Sequence, residues 1–129
     1  MPLKPEDLTV LVVDDQLELA SLICEELEMA GFKTLSASGG LKALQMVKNE
    51  KIDFILSDMR MPEGSGEELL ENLQNLEIPT PLVMIMTGFS GVDKKNMQSK
   101  GAYNVLHKPI DVEYLTNVIL SACQKNRVS

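Results

Sequence analysis

Two kinds of hydrophobic spacing alternate along the chain. Five short apolar runs, each bounded by Gly, Pro, Asp or Lys, occupy residues 8–13, 33–37, 52–57, 81–86 and 102–107. Apolar runs of this length are typical of β-strands. The runs that end at Val13, Ser57 and Met86 are apolar at nearly every position, which is typical of strands covered on both faces.

Helical spacing fills the segments between these runs. Leu19, Ile23, Leu27 and Ala30 share one helical face ahead of Gly31, a common residue after a helix end. A second helix fits residues 41–47. These two segments predict helices after the first and second strands.

The three later helices are indicated by capping residues as well as by spacing. Ser65 and Glu68 form a capping-box pattern ahead of four leucines, the last of them Leu76, and Pro79 follows this third helix. Ser90 and Asp93 form the same pattern for a fourth helix, whose apolar face is thin and consists mainly of Val92 and Met97. Asp111 is the predicted N-cap of a fifth helix that ends at about residue 125.

Strand and helix therefore alternate five times within 129 residues, a length typical of one domain. No internal repeat, low-complexity segment or Gly/Ser/Pro-rich linker divides the chain. Parallel neighbours need right-handed crossovers, so the pattern predicts a doubly wound α/β domain, with a parallel sheet covered by helices on both faces.

The charge and the apolar content of the chain limit the partners and the cellular location that are expected. The net charge of −7 argues against direct binding to nucleic acid, which needs clustered Lys and Arg. No apolar stretch reaches the roughly 18–20 residues that span a bilayer, so no membrane association is expected. The N-terminus lacks the apolar segment of a secretory signal, and Cys24 and Cys123 lie in helical patterns, where they are expected to be small buried hydrophobes. A cytoplasmic location is the expectation.

The candidate chemistry lies where the strands end. Ligands of doubly wound folds bind outside the carboxyl ends of the strands, and clustered carboxylates there suit a hard divalent cation such as Mg²⁺. Phosphoryl transfer to an aspartate needs a carboxylate nucleophile, a metal and donors around the transferring oxygens. The residues that directly follow strands are Asp14, Asp15, Asp58, Thr87, Gly88 and Lys108.

Four motifs along almost the whole chain resemble the response-regulator receiver domains of two-component signalling. The motifs are LVVDD at 11–15, DFILSDMRMPEGSG at 53–66, MTG at 86–88 and HKPID at 107–111. The resemblance implies a flavodoxin-like (βα)5 fold with strand order 2-1-3-4-5 and a single receiver domain over residues 1–129. It also implies a phosphorylation-dependent switch that catalyses only its own phosphorylation and dephosphorylation.

The resemblance assigns roles to individual residues. Asp58 is the implied phosphoacceptor, and it binds Mg²⁺ together with Asp15 and the backbone carbonyl of Arg60. Asp14 is implied to assist through a water molecule, and Mn²⁺ is expected to substitute for Mg²⁺. The phosphoryl-binding and switch residues are implied to be Thr87, Gly88 and Lys108. A cis peptide bond is expected before Pro109.

The partners implied by the resemblance are a sensor histidine kinase or a histidine phosphotransfer protein. Phosphorylation is expected to shift the surface formed by strand four, helix four, strand five and helix five. An effector or a second copy of the chain is expected to bind the face formed by helix four, strand five and helix five. The thin apolar face of helix four is consistent with mobility there.

Several positions depart from the receiver pattern. Val105 stands three residues before Lys108, where receivers usually have Tyr or Phe, so Tyr103, on the same face by strand parity, and Phe89 become candidates for the moving aromatic ring. Arg60, two residues after Asp58, is a candidate modulator of phosphoryl lifetime. Gly64 stands where Met or Leu is common and predicts a looser loop before helix three.

Other interpretations stay open at this point. Asp14 and Asp15 fit a solvated turn with Asp15 as the N-cap of helix one. The whole chain fits a receiver-like binding module that is not phosphorylated. An aspartyl-phosphate phosphatase would need a second carboxylate at the position of Arg60. His107 is expected to lie on a surface or face a helix, and not to carry phosphate.

Overall fold

The computed structural model describes residues 2–88 and 93–128, which form one parallel sheet between two layers of helices. A 3-10 turn at Pro5–Asp7 precedes the first strand. The strands are β1 (Thr9–Val13), β2 (Lys33–Ala37), β3 (Phe54–Asp58), β4 (Leu82–Thr87) and β5 (Asn104–His107). The helices are α1 (Leu17–Met29), α2 (Gly40–Asn49), α3 (Gly66–Gln74), α4 (Lys94–Ser99) and α5 (Val112–Val128).

The strand order is β2-β1-β3-β4-β5 with every neighbouring pair parallel, which confirms the predicted fold class. The register aligns the carboxyl ends of the central strands. Val13 pairs with Ser57, Asp58 pairs with Met86, and Thr87 pairs with His107. Residues that directly follow β1, β3, β4 and β5 therefore meet at one edge of the sheet.

Two apolar layers hold the helices to the sheet, because successive side chains of a strand point to opposite faces. Leu11, Ile55 and Ile85 pack towards α2, α3 and α4. Phe54 and Met84 belong to the other layer, which contains the apolar residues of α1 and α5. The apolar character of the central strands at every position therefore reflects burial on both sides.

Cap residues fix several helix starts. The Ser65 side chain accepts a hydrogen bond from the Glu68 amide at 3.1 Å, as the capping pattern predicts. Asp111 accepts from the amides of Glu113 and Tyr114, which confirms its place as the N-cap of α5. The side chain of Asp93 caps α4 through the Lys95 amide.

Some boundaries differ from the prediction. β3 begins at Phe54, two residues later than predicted. The Asp53 side chain, just ahead of the strand, accepts a hydrogen bond from the Thr9 amide at 2.9 Å. Helix α5 continues to Val128, beyond its predicted end at about residue 125. The predicted contributions of Ser90 and Val92 to helix four lie outside the described residues. Within residues 2–88 and 93–128, no helix combines the length and apolar character needed to cross a membrane.

Candidate functional site

Three carboxylates meet at the carboxyl edge of the sheet. Asp14 and Asp15 follow β1, and Asp58 is the last residue of β3. Each of the three offers an oxygen that lies within 4.8 Å of the oxygens of the other two. The sequence therefore predicted this cluster correctly from the position of each residue relative to its strand.

The three carboxylates differ in burial. Asp14 is fully buried, Asp58 is partly buried and Asp15 is exposed. The Asp14 Oδ1 atom accepts a hydrogen bond from the Gln16 amide at 2.9 Å, so a turn of the backbone holds this buried side chain. Gln16 is the N-cap of α1, which shows that the alternative interpretation of Asp15 as the cap is wrong. Asp15 is thus left at the surface of the cluster.

Lys108 supplies a positive charge between two of the carboxylates. Its Nζ atom lies 3.4 Å from Asp58 Oδ1 and 3.5 Å from Asp14 Oδ2. The Lys108 amide donates to the Thr87 carbonyl at 2.8 Å, and this bond fixes the backbone of Lys108 against the end of β4. The Lys108–Pro109 peptide bond is cis, as the resemblance implied.

The Asp58 carboxylate and the neighbouring strand β4 accept hydrogen bonds from the same backbone amide. The Met59 amide donates both to Asp58 Oδ1 at 2.9 Å and to the Met86 carbonyl in β4 at 3.1 Å. Burial and the adjacent Asp14 raise the pKa of the Asp58 carboxyl, while Lys108 and the Met59 amide oppose this rise. Sequence patterns could not reveal Met59, because its contribution is a backbone group.

Thr87 and Gly88 complete the edge. Thr87 is fully buried at the end of β4, and the exposed Gly88 follows it. A Cβ atom built on Gly88 would meet nothing within 4 Å, so open space borders the site at this point. Phe89, one of the two candidates for the moving aromatic ring, lies outside the described residues.

The residues present fit a hard divalent cation. Three carboxylates carry three negative charges when ionised, whereas Lys108 supplies one positive charge among them, and buried charge requires compensation. Mg²⁺ takes oxygen ligands and keeps several waters, which suits a cluster with both a buried side and an exposed side. Arg60, whose carbonyl the resemblance assigns to the metal, is exposed in the loop after Asp58.

Tyr103 and Val105 differ in their surroundings. Val105 is buried in the apolar layer shared with α2, α3 and α4. Tyr103 precedes β5, is 37% exposed and lines a surface cavity of about 350 Å³ with Tyr114 and Asn117 of α5. The role of Tyr103 as a moving aromatic ring therefore stays a prediction.

His107, Cys123 and Cys24 do not belong to the carboxylate cluster. His107 is exposed, as expected. Cys123 is buried and Cys24 is partly buried, and burial raises the pKa of the Cys24 thiol, which disfavours a reactive thiolate.

Gly64 does not open the loop before α3, so the prediction of a looser loop is wrong. Its φ is 97°, and its carbonyl accepts a hydrogen bond from the Gly40 amide at 2.9 Å. Only a residue without a side chain adopts this backbone conformation easily, and here it brings two backbone segments together. The Gly39–Gly40 pair was the sequence signal for this contact.

Comparisons with known proteins agree with the fold. A family model described as the response regulator receiver domain matches residues 10–120. The transcriptional regulatory protein ZraR of Klebsiella oxytoca is 34% identical over 125 residues, which are 96% of this chain and 28% of ZraR. The sporulation initiation phosphotransferase F of Bacillus subtilis strain 168 is 31% identical over 111 residues, which are 85% of this chain and 89% of that protein.

Solved structures give the same result. A response regulator receiver domain protein from Clostridium thermocellum superimposes with a TM-score of 0.85 at 29% identity, covering 94% of this chain and 98% of that one. The chain spans between 26% and 28% of the length of three transcriptional regulators that it matches. Because the family model covers most of the chain, the chain belongs to the response regulator receiver domains, the phosphorelay signalling modules of two-component systems.

Proposed function

We propose that Asp58 accepts a phosphoryl group from a phosphohistidine and that the added charge switches the surface formed by β4, α4, β5 and α5. The observation that carries this proposal is the position of the Lys108 ammonium, 3.4 Å from Asp58 Oδ1 and 3.5 Å from Asp14 Oδ2. An ammonium in this position can bind an oxygen of a phosphoryl group on Asp58.

The proposed transfer is a displacement at phosphorus. A carboxylate oxygen of Asp58 forms the new P–O bond, the P–N bond of the phosphohistidine breaks, and the imidazole leaves with the bonding electron pair. Thr87 and Lys108 act as donors to the phosphoryl oxygens. Positioning and charge stabilisation supply most of the catalysis in such transfers, so a rigid sheet edge is a suitable support.

The proposed metal ligands are Asp15, Asp58 and the Arg60 backbone carbonyl, with Asp14 acting through a water molecule. When bound, Mg²⁺ offsets negative charge on the phosphoryl oxygens and on the carboxylates, and Mn²⁺ is expected to do the same. The 4.8 Å cluster of carboxylate oxygens supports this assignment.

The proposed switch uses the elements next to Asp58. Phosphorylation adds about 1.5 to 2 negative charges, which draw donors such as Thr87 inward and shift an existing equilibrium of the neighbouring segment. Helix α4 has six residues, and Met97 is the buried residue among them. A short helix held by one buried side chain is easily displaced, so α4 suits a switching element.

The proposed phosphodonor is a sensor histidine kinase or a histidine phosphotransfer protein. One similar protein is named a phosphotransferase and another is named a sensor histidine kinase. Their likeness to this chain supports a place in histidine-to-aspartate phosphotransfer. An effector or a second copy of the chain is the proposed partner of the α4–β5–α5 face.

Receiver domains are signalling modules and not classical enzymes. Arg60 occupies the position where a phosphatase with an aspartyl-phosphate intermediate needs its second carboxylate. The local chemistry therefore favours a switch over a hydrolytic enzyme.

Mass measurement after incubation with Mg²⁺ and a small phosphodonor tests the proposal. The wild type is expected to gain one phosphoryl group and Asp58→Asn none. Asp53→Asn is the matched control, because Asp53 directly precedes β3 at the end opposite Asp58, and this variant should still be phosphorylated. A wild type that gains no phosphate with excess donor and a range of kinases would favour the unphosphorylated binding module.

A further inference from the structure

The loop that follows Asp58 is held by the beginning of α2. The Gly40 amide donates to the Gly64 carbonyl at 2.9 Å, and the Leu41 amide donates to the Glu63 carbonyl at 3.2 Å. We call this pair of hydrogen bonds the α2–loop contact. The N-cap of α2 is Gly39, which has no side chain to satisfy the first amides of the helix, so carbonyls of the loop accept their hydrogen bonds.

The two backbones approach too closely for side chains. A Cβ atom on Gly39 would lie 2.5 Å from the Glu63 carbonyl oxygen, and one on Gly40 would lie 2.8 Å from the Gly64 carbonyl oxygen. Both obstacles are backbone atoms, which cannot rotate away as the end of a flexible side chain can. Gly39 and Gly40 are buried, so the contact is shielded from solvent.

The other end of the loop is anchored to the sheet. The Gly66 amide donates to the Met59 carbonyl at 3.0 Å, and the Met59 amide donates to Met86 in β4. A Cβ atom on Gly66 would lie 2.6 Å from the Asp58 carbonyl oxygen, so this approach is also close. Arg60 lies between the two anchors, in a segment whose ends are both fixed.

We propose that Gly39 and Gly40 are positioning residues for the metal site, because the α2–loop contact fixes the segment that carries the Arg60 carbonyl. This inference rests on the proposed metal site. Mg²⁺ demands near-ideal octahedral geometry, so a ligand carbonyl on a displaced loop binds it less well. Groups that only orient metal ligands typically change metal affinity about 10- to 100-fold when altered.

Gly39→Ala and Gly40→Ala test the proposal through the Mg²⁺ dissociation constant of the unphosphorylated protein, measured by calorimetry. The expected rise is about tenfold in each variant. Alanine favours a helix more than glycine does, so the helix propensity of the new residue does not explain a loss. The control is Ala43→Gly, which destabilises α2 at a fully buried position one turn after the α2–loop contact and should bind Mg²⁺ like the wild type.

Hydrogen exchange of the wild type provides a second measurement that needs no variant. If the contact and the metal site are coupled, each stabilises the other by the same factor, so saturating Mg²⁺ should slow exchange of the Gly40 and Leu41 amides. The Glu50 amide, which bonds to Met46 at the far end of α2, is the internal control and should not change.

The outcomes separate the two proposals. A wild type that does not bind Mg²⁺ overturns the proposed metal site and this inference together. A wild type that binds Mg²⁺, with glycine variants of equal affinity or with unchanged exchange at Gly40 and Leu41, overturns the positioning role alone. An equal loss of affinity in Ala43→Gly would likewise overturn it, since general destabilisation of α2 would then be the cause.

Discussion

The Nζ atom of Lys108 lies 3.4 Å from Oδ1 of Asp58, so a cation at the end of β5 faces the carboxylate at the end of β3. Lys108 is 23% exposed in its side chain and Asp58 is 14% exposed, so solvent screens this pair less than it screens a surface pair. The charge on Lys108 therefore influences both the protonation and the reactivity of Asp58.

Lys108→Met should raise the pKa of Asp58 further, because it removes the cation that opposes burial and Asp14. Phosphorylation by a small donor should slow by roughly 100- to 1000-fold, the range for loss of one donor that stabilises charge in the transition state. Carboxyl NMR titration and timed mass spectra measure these effects. Lys33→Met, at the exposed start of β2, is the control, and a wild-type pKa of Asp58 in Lys108→Met would refute the assignment.

Asp58→Asn should stabilise the protein without metal at neutral pH. Folding raises the pKa of Asp58, so this group favours folding below its unfolded pKa, and the contribution is lost as pH rises through the folded pKa. Near pH 7 the ionised carboxylate is held beside Asp14 without full hydration. Replacement by a neutral amide should raise Tm by roughly 2–5 °C at pH 7, and the gain should shrink towards pH 4.

Thermal unfolding at several pH values in the presence of a chelator measures this dependence. Glu50→Gln, at an exposed position after α2, is the control and should leave Tm unchanged. A gain in Asp58→Asn that stays constant from pH 7 to pH 4 would contradict the electrostatic explanation.

Mg²⁺ should stabilise the wild type and should not stabilise Asp15→Asn. Asp15 is exposed and does not cap α1, so its replacement should leave the apo fold intact while removing a proposed metal ligand. A ligand at 100 times its dissociation constant adds about 2.7 kcal/mol to the free energy of unfolding.

Denaturant titration with and without Mg²⁺ measures that gain. The control is Glu18→Gln, an exposed acidic residue in the first turn of α1 that does not belong to the carboxylate cluster. Equal stabilisation of Asp15→Asn and the wild type would show that Asp15 does not bind the metal.

Arg60→Ala should shorten the lifetime of phosphorylated Asp58. Arg60 is exposed two residues after Asp58, the proposed acceptor, where its long cationic side chain can shield a phosphoryl group from water. The expected acceleration of hydrolysis is roughly two- to fivefold, the range set by one solvent-exposed ion pair. Arg60→Lys is the matched control and should retain most of the lifetime. An unchanged rate of dephosphorylation in Arg60→Ala would count against any role for this side chain.

The sheet and the acidic cluster could be predicted from the sequence, because both follow from which residues form each strand and which residues come directly after it. A strand buried on both faces is apolar throughout, and the residue after it lies at the carboxyl edge wherever the strand sits in the sheet. Asp14, Asp58 and Lys108 could therefore be placed together before any distance was known.

Backbone contacts between segments that lie far apart in the sequence could not be predicted in this way. The shared Met59 amide and the α2–loop contact involve backbone atoms, which carry no side-chain signal. Gly64 was misjudged because glycine permits both a loose loop and a tight approach, and only the neighbouring Gly39–Gly40 pair decides between them. The face of Tyr103 could not be fixed from the sequence, because alternation holds within a strand and Tyr103 lies just outside β5.

The divided hydrogen bond of Met59 connects Asp58 directly to the next strand. One hydrogen atom serves both Oδ1 of Asp58 and the carbonyl of Met86, and these acceptors compete for it. A change of charge on Oδ1 alters that competition, so under the proposed phosphorylation of Asp58 the end of β4, one residue before Thr87, would be the first neighbour affected. A single amide proton would then carry the change from β3 to β4.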